Sequence, residues 1–132
     1  MEKEFIPYNE ALALKGLGFD EPCLGYYIEL RNPQEGILTI EKCENNFDGL
    51  LAPTFSQAFR LFREKYGIKT YVYEVLEERF VFVTYTNPLD YKMSSTYHTT
   101  YEEAELECLI RLIELVKISY EKHTRITNRQ TK

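Results

Sequence analysis

The chain has 132 residues, which suits a single domain able to bury a core without metals or disulfides. A net charge of −5 disfavours non-specific binding to nucleic acid or anionic membrane, and no apolar run approaches the ~18 residues a membrane helix needs. Eleven Tyr and eight Phe with no Trp make an unusual aromatic set, and Cys23, Cys43 and Cys108 share no C-x-x-C spacing, which reads as reduced thiols in a cytoplasmic protein.

The opening MEKEFIPYNE is polar and acidic and lacks the charged-then-apolar pattern of a secretory signal. Residues 7–17 form the first predicted helix, with Pro7 at a position that tolerates its missing N–H. Gly18 stops that helix and lets Phe19 pack back on Leu14. A turn around Pro22 follows. Leu24–Leu30 reads as a strand rich in β-formers, Asn32–Gly36 is turn chemistry, and Ile37–Lys42 is the returning strand of a hairpin. Cys43–Leu51 is a polar loop.

The stretch Ala52–Leu76 reads as the best-marked helix running through a tight stop into a strand. Thr54 and Gln57 have capping-box spacing, and Phe55, Ala58, Phe59, Phe62 and Tyr66 fall on one helical face. Gly67 fits the left-handed position after the helix end, with Ile68 folding back onto Phe62. The period then changes. Lys69–Leu76 and Phe80–Thr86 alternate as strands that are apolar on both faces, separated by Glu77, Glu78 and Arg79, a hairpin length without glycine. Asn87–Asp90 breaks the pattern, and Tyr91–His98 fits a polar loop or a short edge strand equally well. Thr100 and Glu103 again have capping-box spacing, and a broad apolar stripe from Ala104 to Val116 predicts a long helix from Tyr101 to about Lys122. Residues 123–132 read as a basic, mobile tail beyond a domain of residues 1–122.

This order predicts an α+β fold: an antiparallel sheet of about four strands, in two hairpins, packed with three helices including a long C-terminal one. Two apolar strand faces need cover, and the first helix is too short and weak to supply all of it.

Chemistry is sparse. There is no phosphate-binding glycine loop, Gly16-Leu17-Gly18 being a helix stop, and no G-x-S-x-G. The serines Ser56, Ser94, Ser95 and Ser119 have no base nearby in sequence. His98 and His123 form no metal-ligand spacing with the cysteines. Cys108 lies on an apolar helix face, where a thiol is an ordinary core residue. Asp20-Glu21 and Glu77-Glu78 read as solvated turn carboxylates. No catalytic, cofactor-binding or metal-ligating residue is assigned.

Three blocks, GFDEPCLGYY (Gly18–Tyr27), APTFSQAFRLFREKYGI (Ala52–Ile68) and TYEEAELECLIRLIELVK (Thr100–Lys117), cover about a third of the chain. In fixed order they resemble a group of short uncharacterised proteins of gut bacteria and their phages and prophages. Leu61 stands where such proteins often carry Trp, and the hairpin after Ile68 departs most. The resemblance implies a setting, a mobile element in a bacterial cytoplasm, and no activity.

Two functions follow as expectations. The first is a small non-enzymatic phage-type accessory protein acting by protein–protein contact or self-association, as a homodimer or with another protein, with Tyr71, Tyr73 and Tyr85 at the interface, since Tyr is enriched in interfaces. The second is an RNA-binding module that uses the same aromatic hairpin face for base stacking. Against the second, the last helix begins with Glu102, Glu103 and Glu105, where a phosphate grip would need basic groups.

Overall fold

The structure, a computed structural model, describes residues 2–29, 36–44, 49–87 and 89–130. A short 3-10 turn at Glu2–Glu4 leads to α1 (Tyr8–Gly16), then β1 (Tyr26–Glu29), β2 (Gly36–Thr39), β3 (Leu50–Leu51), α2 (Phe55–Lys65), β4 (Lys69–Leu76), β5 (Arg79–Asn87), β6 (Asp90–Met93) and α3 (Tyr101–Gln130). The fold is α+β. The expectation of about four strands in one sheet is corrected: the described strands number six, in two antiparallel three-stranded sheets ordered β2-β1-β3 and β4-β5-β6. The added strands are short. Leu50 and Leu51 pair with Tyr27 and Tyr26 of β1, and a two-residue strand leaves no alternation to read in a sequence.

Both early helices end as their sequences dictate. At α1 the N–H of Phe19 returns to the Leu14 carbonyl (3.0 Å) and that of Gly18 to Lys15 (3.0 Å), with Gly18 at φ 92°, a conformation costly for any residue with a Cβ. Pro7 is the extended residue just before the helix rather than its first member. At α2 the Thr54 side chain accepts from the Gln57 N–H (3.2 Å) while the Gln57 side chain accepts from the Thr54 N–H (3.0 Å). Gly67 takes φ 68°, and the Ile68 N–H bonds back to the Phe62 carbonyl at 3.0 Å.

The main core lies among α1, α2, the β2-β1-β3 sheet and one side of α3. Ile6, Leu14, Phe62, Leu109 and Leu112 are fully enclosed there. Tyr27 enters it edge-on to Tyr8 (ring centroids 5.5 Å), and its hydroxyl is satisfied by donating to the Ile6 carbonyl at 2.6 Å. Gly36 has no room for a side chain, since a Cβ there would sit 2.6 Å from the Tyr8 ring. Phe59, on the same helical stripe as Phe62, is only half buried and stacks on Phe55 at 6.2 Å, because it lies at the margin of the stripe.

The second sheet rests on the other side of α3. The Phe80 ring meets Tyr101 of α3 edge-on (6.3 Å), and Ala104 and Cys108 are wholly buried. At the start of α3 the Thr100 side chain caps the Glu103 N–H (3.1 Å), and the Glu103 carboxylate reaches Thr99 rather than Thr100, accepting from its hydroxyl at 2.9 Å. The helix runs to Gln130, past the expected end near Lys122, because residues 123–130 contain no Gly or Pro to interrupt its hydrogen bonding. The predicted turn residues 32–35, and Asn45, Asn46 and Asp48 of the polar loop, lie outside the described residues.

Two stability outcomes follow. Phe62→Ala empties an enclosed site and costs ~3–5 kcal/mol, whereas Phe59→Ala, at a partly buried site, costs about 1–2 kcal/mol. Urea denaturation of both variants measures this, and equal losses would contradict the burial difference. At the β4–β5 turn Glu78 sits at φ 57°, where a Cβ is strained. Glu78→Gly is therefore expected to raise stability by up to ~1 kcal/mol in the same assay, and a loss would show that the glutamate side chain holds the turn.

Candidate interaction surface

In β4 and β5 successive side chains point to opposite faces, so pairing register decides which residues share a side. Val72 opposes Phe82 and Glu74 opposes Phe80, on the side facing α3. Tyr71 opposes Val83, Tyr73 opposes Val81 and Lys69 opposes Tyr85, on the side facing away. From β6, Met93 opposes Val83 and Tyr91 opposes Tyr85, which puts both on this outer side. His98 forms an antiparallel bridge with Phe80 and its ring stacks on Phe82 at 6.0 Å, on the α3 side, so alternation sends the preceding Tyr97 outward.

The outer face is therefore tyrosine-rich. The Tyr71 ring lies 5.5 Å from Tyr73 and 6.1 Å from Tyr85, the latter edge-on. The Tyr73 hydroxyl donates to the Met93 sulfur at 3.9 Å, spanning β5. These side chains roof the strand beneath them, leaving Val81 and Val83 only 2% and 1% exposed. The roof itself stays open to solvent: Tyr71 is 50%, Tyr91 60%, Met93 50% and Tyr97 60% exposed. Lys69 and Arg79 are the basic groups on this side, and the Arg79 guanidinium stands over the Tyr97 ring at 5.7 Å. The three tyrosines singled out from sequence, Tyr71, Tyr73 and Tyr85, thus lie together. Tyr91, Met93 and Tyr97 were missed because Tyr91–His98 fitted loop and strand equally. The i, i+2 spacing of Tyr91 and Met93 was the available signal.

Apart from the Cys23–Cys43 pair, the remaining chemistry-bearing side chains among the described residues do not converge on one site. Cys108 is enclosed, and burial pushes its thiol up to about 12, with Thr70 beside it pulling slightly the other way. His98 is committed to Phe80 and Phe82 on the neighbouring strand. Glu21 pairs with Arg60 at 3.0 Å, a surface contact worth ~0–1 kcal/mol. Ser94 donates to the Thr96 carbonyl and accepts from the Phe82 N–H, closing the strap after β6. An open depression of about 560 Å³ where α2 and α3 begin is lined by Lys3, Glu4, Thr54, Phe55, Ser56, Tyr101, Glu102 and Glu105. Burial, then the Glu102 charge, lift the Glu105 carboxyl above its ordinary range. With three carboxylates against one lysine, the depression does not suit an anion despite the helix N-termini beside it. Among the described residues no three His, Cys, Asp or Glu side chains cluster as metal ligands, and no helix is long and apolar enough to cross a membrane.

The chain gives no match to protein-family models, to curated proteins or to solved structures.

The Cys108 environment sets a pH dependence. Its folded pKa lies above the ordinary 9.0, so the folded state retains a proton that the unfolded chain loses, and stability falls as pH rises from about 9 towards about 12. Denaturation midpoints at about pH 8 and about pH 10.5 are expected to show that fall, with Cys108→Ala losing less than the wild type between the two. An identical fall in the variant would place the titration elsewhere.

Proposed function

We propose that the chain is a small non-enzymatic accessory protein of phage type, working in a bacterial cytoplasm by protein–protein contact, and that its first partner is a second copy of itself. The observation that carries this reading is the outer face of β4-β5-β6. Six large side chains there, Tyr71, Tyr73, Tyr85, Tyr91, Met93 and Tyr97, roof two valines and remain part or largely exposed. Contiguous exposed apolar area of this kind drives association at ~25 cal/mol per Å² removed from water, and tyrosine adds hydroxyls that tolerate both states. The charged groups noted on the face are the basic Lys69 and Arg79 while the chain as a whole carries −5, so contact through this face keeps the acidic remainder in solvent. A twofold dimer closes the surface on itself without leaving an open end. The phage setting rests on the resemblance of the three sequence blocks.

Light scattering over a concentration series is expected to show mass doubling with a midpoint in the accessible range. The double variant Tyr71→Ser, Met93→Ser is expected to remain at monomer mass while keeping the wild-type circular dichroism. A monomer at every concentration, with unchanged solubility in the variant, would defeat the self-association reading.

The exposed rings of Tyr71 and Tyr91 are also competent to stack on unpaired bases, which favours single-stranded RNA as the second reading. A shift of labelled RNA at low salt that vanishes in Tyr71→Ser would move the function there. No shift at low salt would remove it.

A further inference from the structure

Two cysteines remain outside this account. Cys23 precedes β1 and Cys43 follows β2, and they form an isolated antiparallel bridge at the base of that hairpin. The Cys23 N–H donates to the Cys43 carbonyl at 2.8 Å and the Cys43 N–H to the Cys23 carbonyl at 2.7 Å. A pair that exchanges both hydrogen bonds has its Cα atoms about 5.5 Å apart and its side chains on one side of the ladder. A disulfide needs about 4.4–6.8 Å between Cα atoms. Both side chains are buried in the same core cluster. The third cysteine, Cys108, is wholly enclosed on α3, outside that cluster. Both thiols are free in the structure described.

We propose that Cys23 and Cys43 are a disulfide site, at which a low-molecular-weight disulfide such as oxidised glutathione joins the two sulfurs and turns residues 24–42 into a covalently closed loop. One cysteine thiolate attacks a reagent sulfur, forming a mixed disulfide and releasing one glutathione thiolate. The second cysteine thiolate then attacks the protein-side sulfur of that mixed disulfide and releases the other glutathione. One S–S bond breaks in the reagent and one forms in the protein, the two cysteine protons pass to the released thiolates, and the two electrons pass to glutathione. Burial first, and Cys43 next, push the Cys23 thiol up to about 12, so the attacking thiolate forms when the hairpin base opens and not while it is closed. In a reducing cytoplasm the pair rests as two thiols, and oxidising conditions close it.

The test is to refold the full chain from denaturant in a glutathione redox buffer at about pH 8 and then count thiols under denaturing conditions by maleimide labelling and intact mass. Free thiols are expected to fall from three to one, with the loss of two hydrogens, no retained glutathione, and a peptide joining Cys23 to Cys43. Melting temperature is expected to rise by several degrees and to return on reduction. Cys108→Ala is expected to form the same bond. Three thiols persisting at full oxidation, glutathione held stably on Cys23 or Cys43, or a bond that includes Cys108 would each overturn the proposal. The wild-type peptide map decides it even if Cys108→Ala fails to fold.

Discussion

The architecture depends on one helix burying two sides at once. At about 100° per residue, the buried positions of α3 from Ala104 to Val116 sweep roughly half the circumference. Ala104 and Cys108 lie at one margin, outside the main core cluster and on the side of the β4-β5-β6 sheet, where Phe80 meets Tyr101. Leu109, Leu112, Ile113 and Val116 fill the main core with α1, α2 and the first sheet. Small side chains at the first margin let a sheet approach closely, and branched ones at the second reach into a thicker core. Two small sheets that would each be marginal alone are thereby stabilised by a shared wall. The same arrangement explains why the second sheet keeps a bare side: the helix that covers it is already committed to the core on its other flank.

Much of this was legible from local chemistry. Gly18 and Gly67 act at helix ends as their neighbours require, Thr54 and Gln57 form the reciprocal cap, and β4 coincides with its alternating run. These signals involve residues within a few positions of one another, so the sequence displays them directly. What it concealed is long-range. The pairing of Leu50–Leu51 with β1, the Cys23–Cys43 bridge and the His98–Phe80 bridge join segments with no shared pattern. Thr100 and Glu103 have the spacing of a reciprocal pair, but the carboxylate turns to Thr99, one residue earlier, whose hydroxyl offers a second donor.

The candidate surface was half legible for the same reason. Apolar residues on both sides of two strands announce that both sides need cover, and Tyr71, Tyr73 and Tyr85 follow from alternation alone. That the cover on the outer side would come from the rings themselves depends on a third strand delivering Met93 opposite Val83. A tyrosine roof is a compromise between packing and solubility. The ring edges exclude water from the valines, and the hydroxyls keep the surface wettable while it is unoccupied.

The position of α3 after every other described element has a consequence for biosynthesis. The core built from Phe5 to Phe62 is missing Leu109, Leu112, Ile113 and Val116 until the last helix has left the ribosome, whereas the β4–β6 meander pairs only with its immediate neighbours in sequence. The amino-terminal elements are therefore synthesised first, yet their apolar surface stays unsealed until α3 has been made.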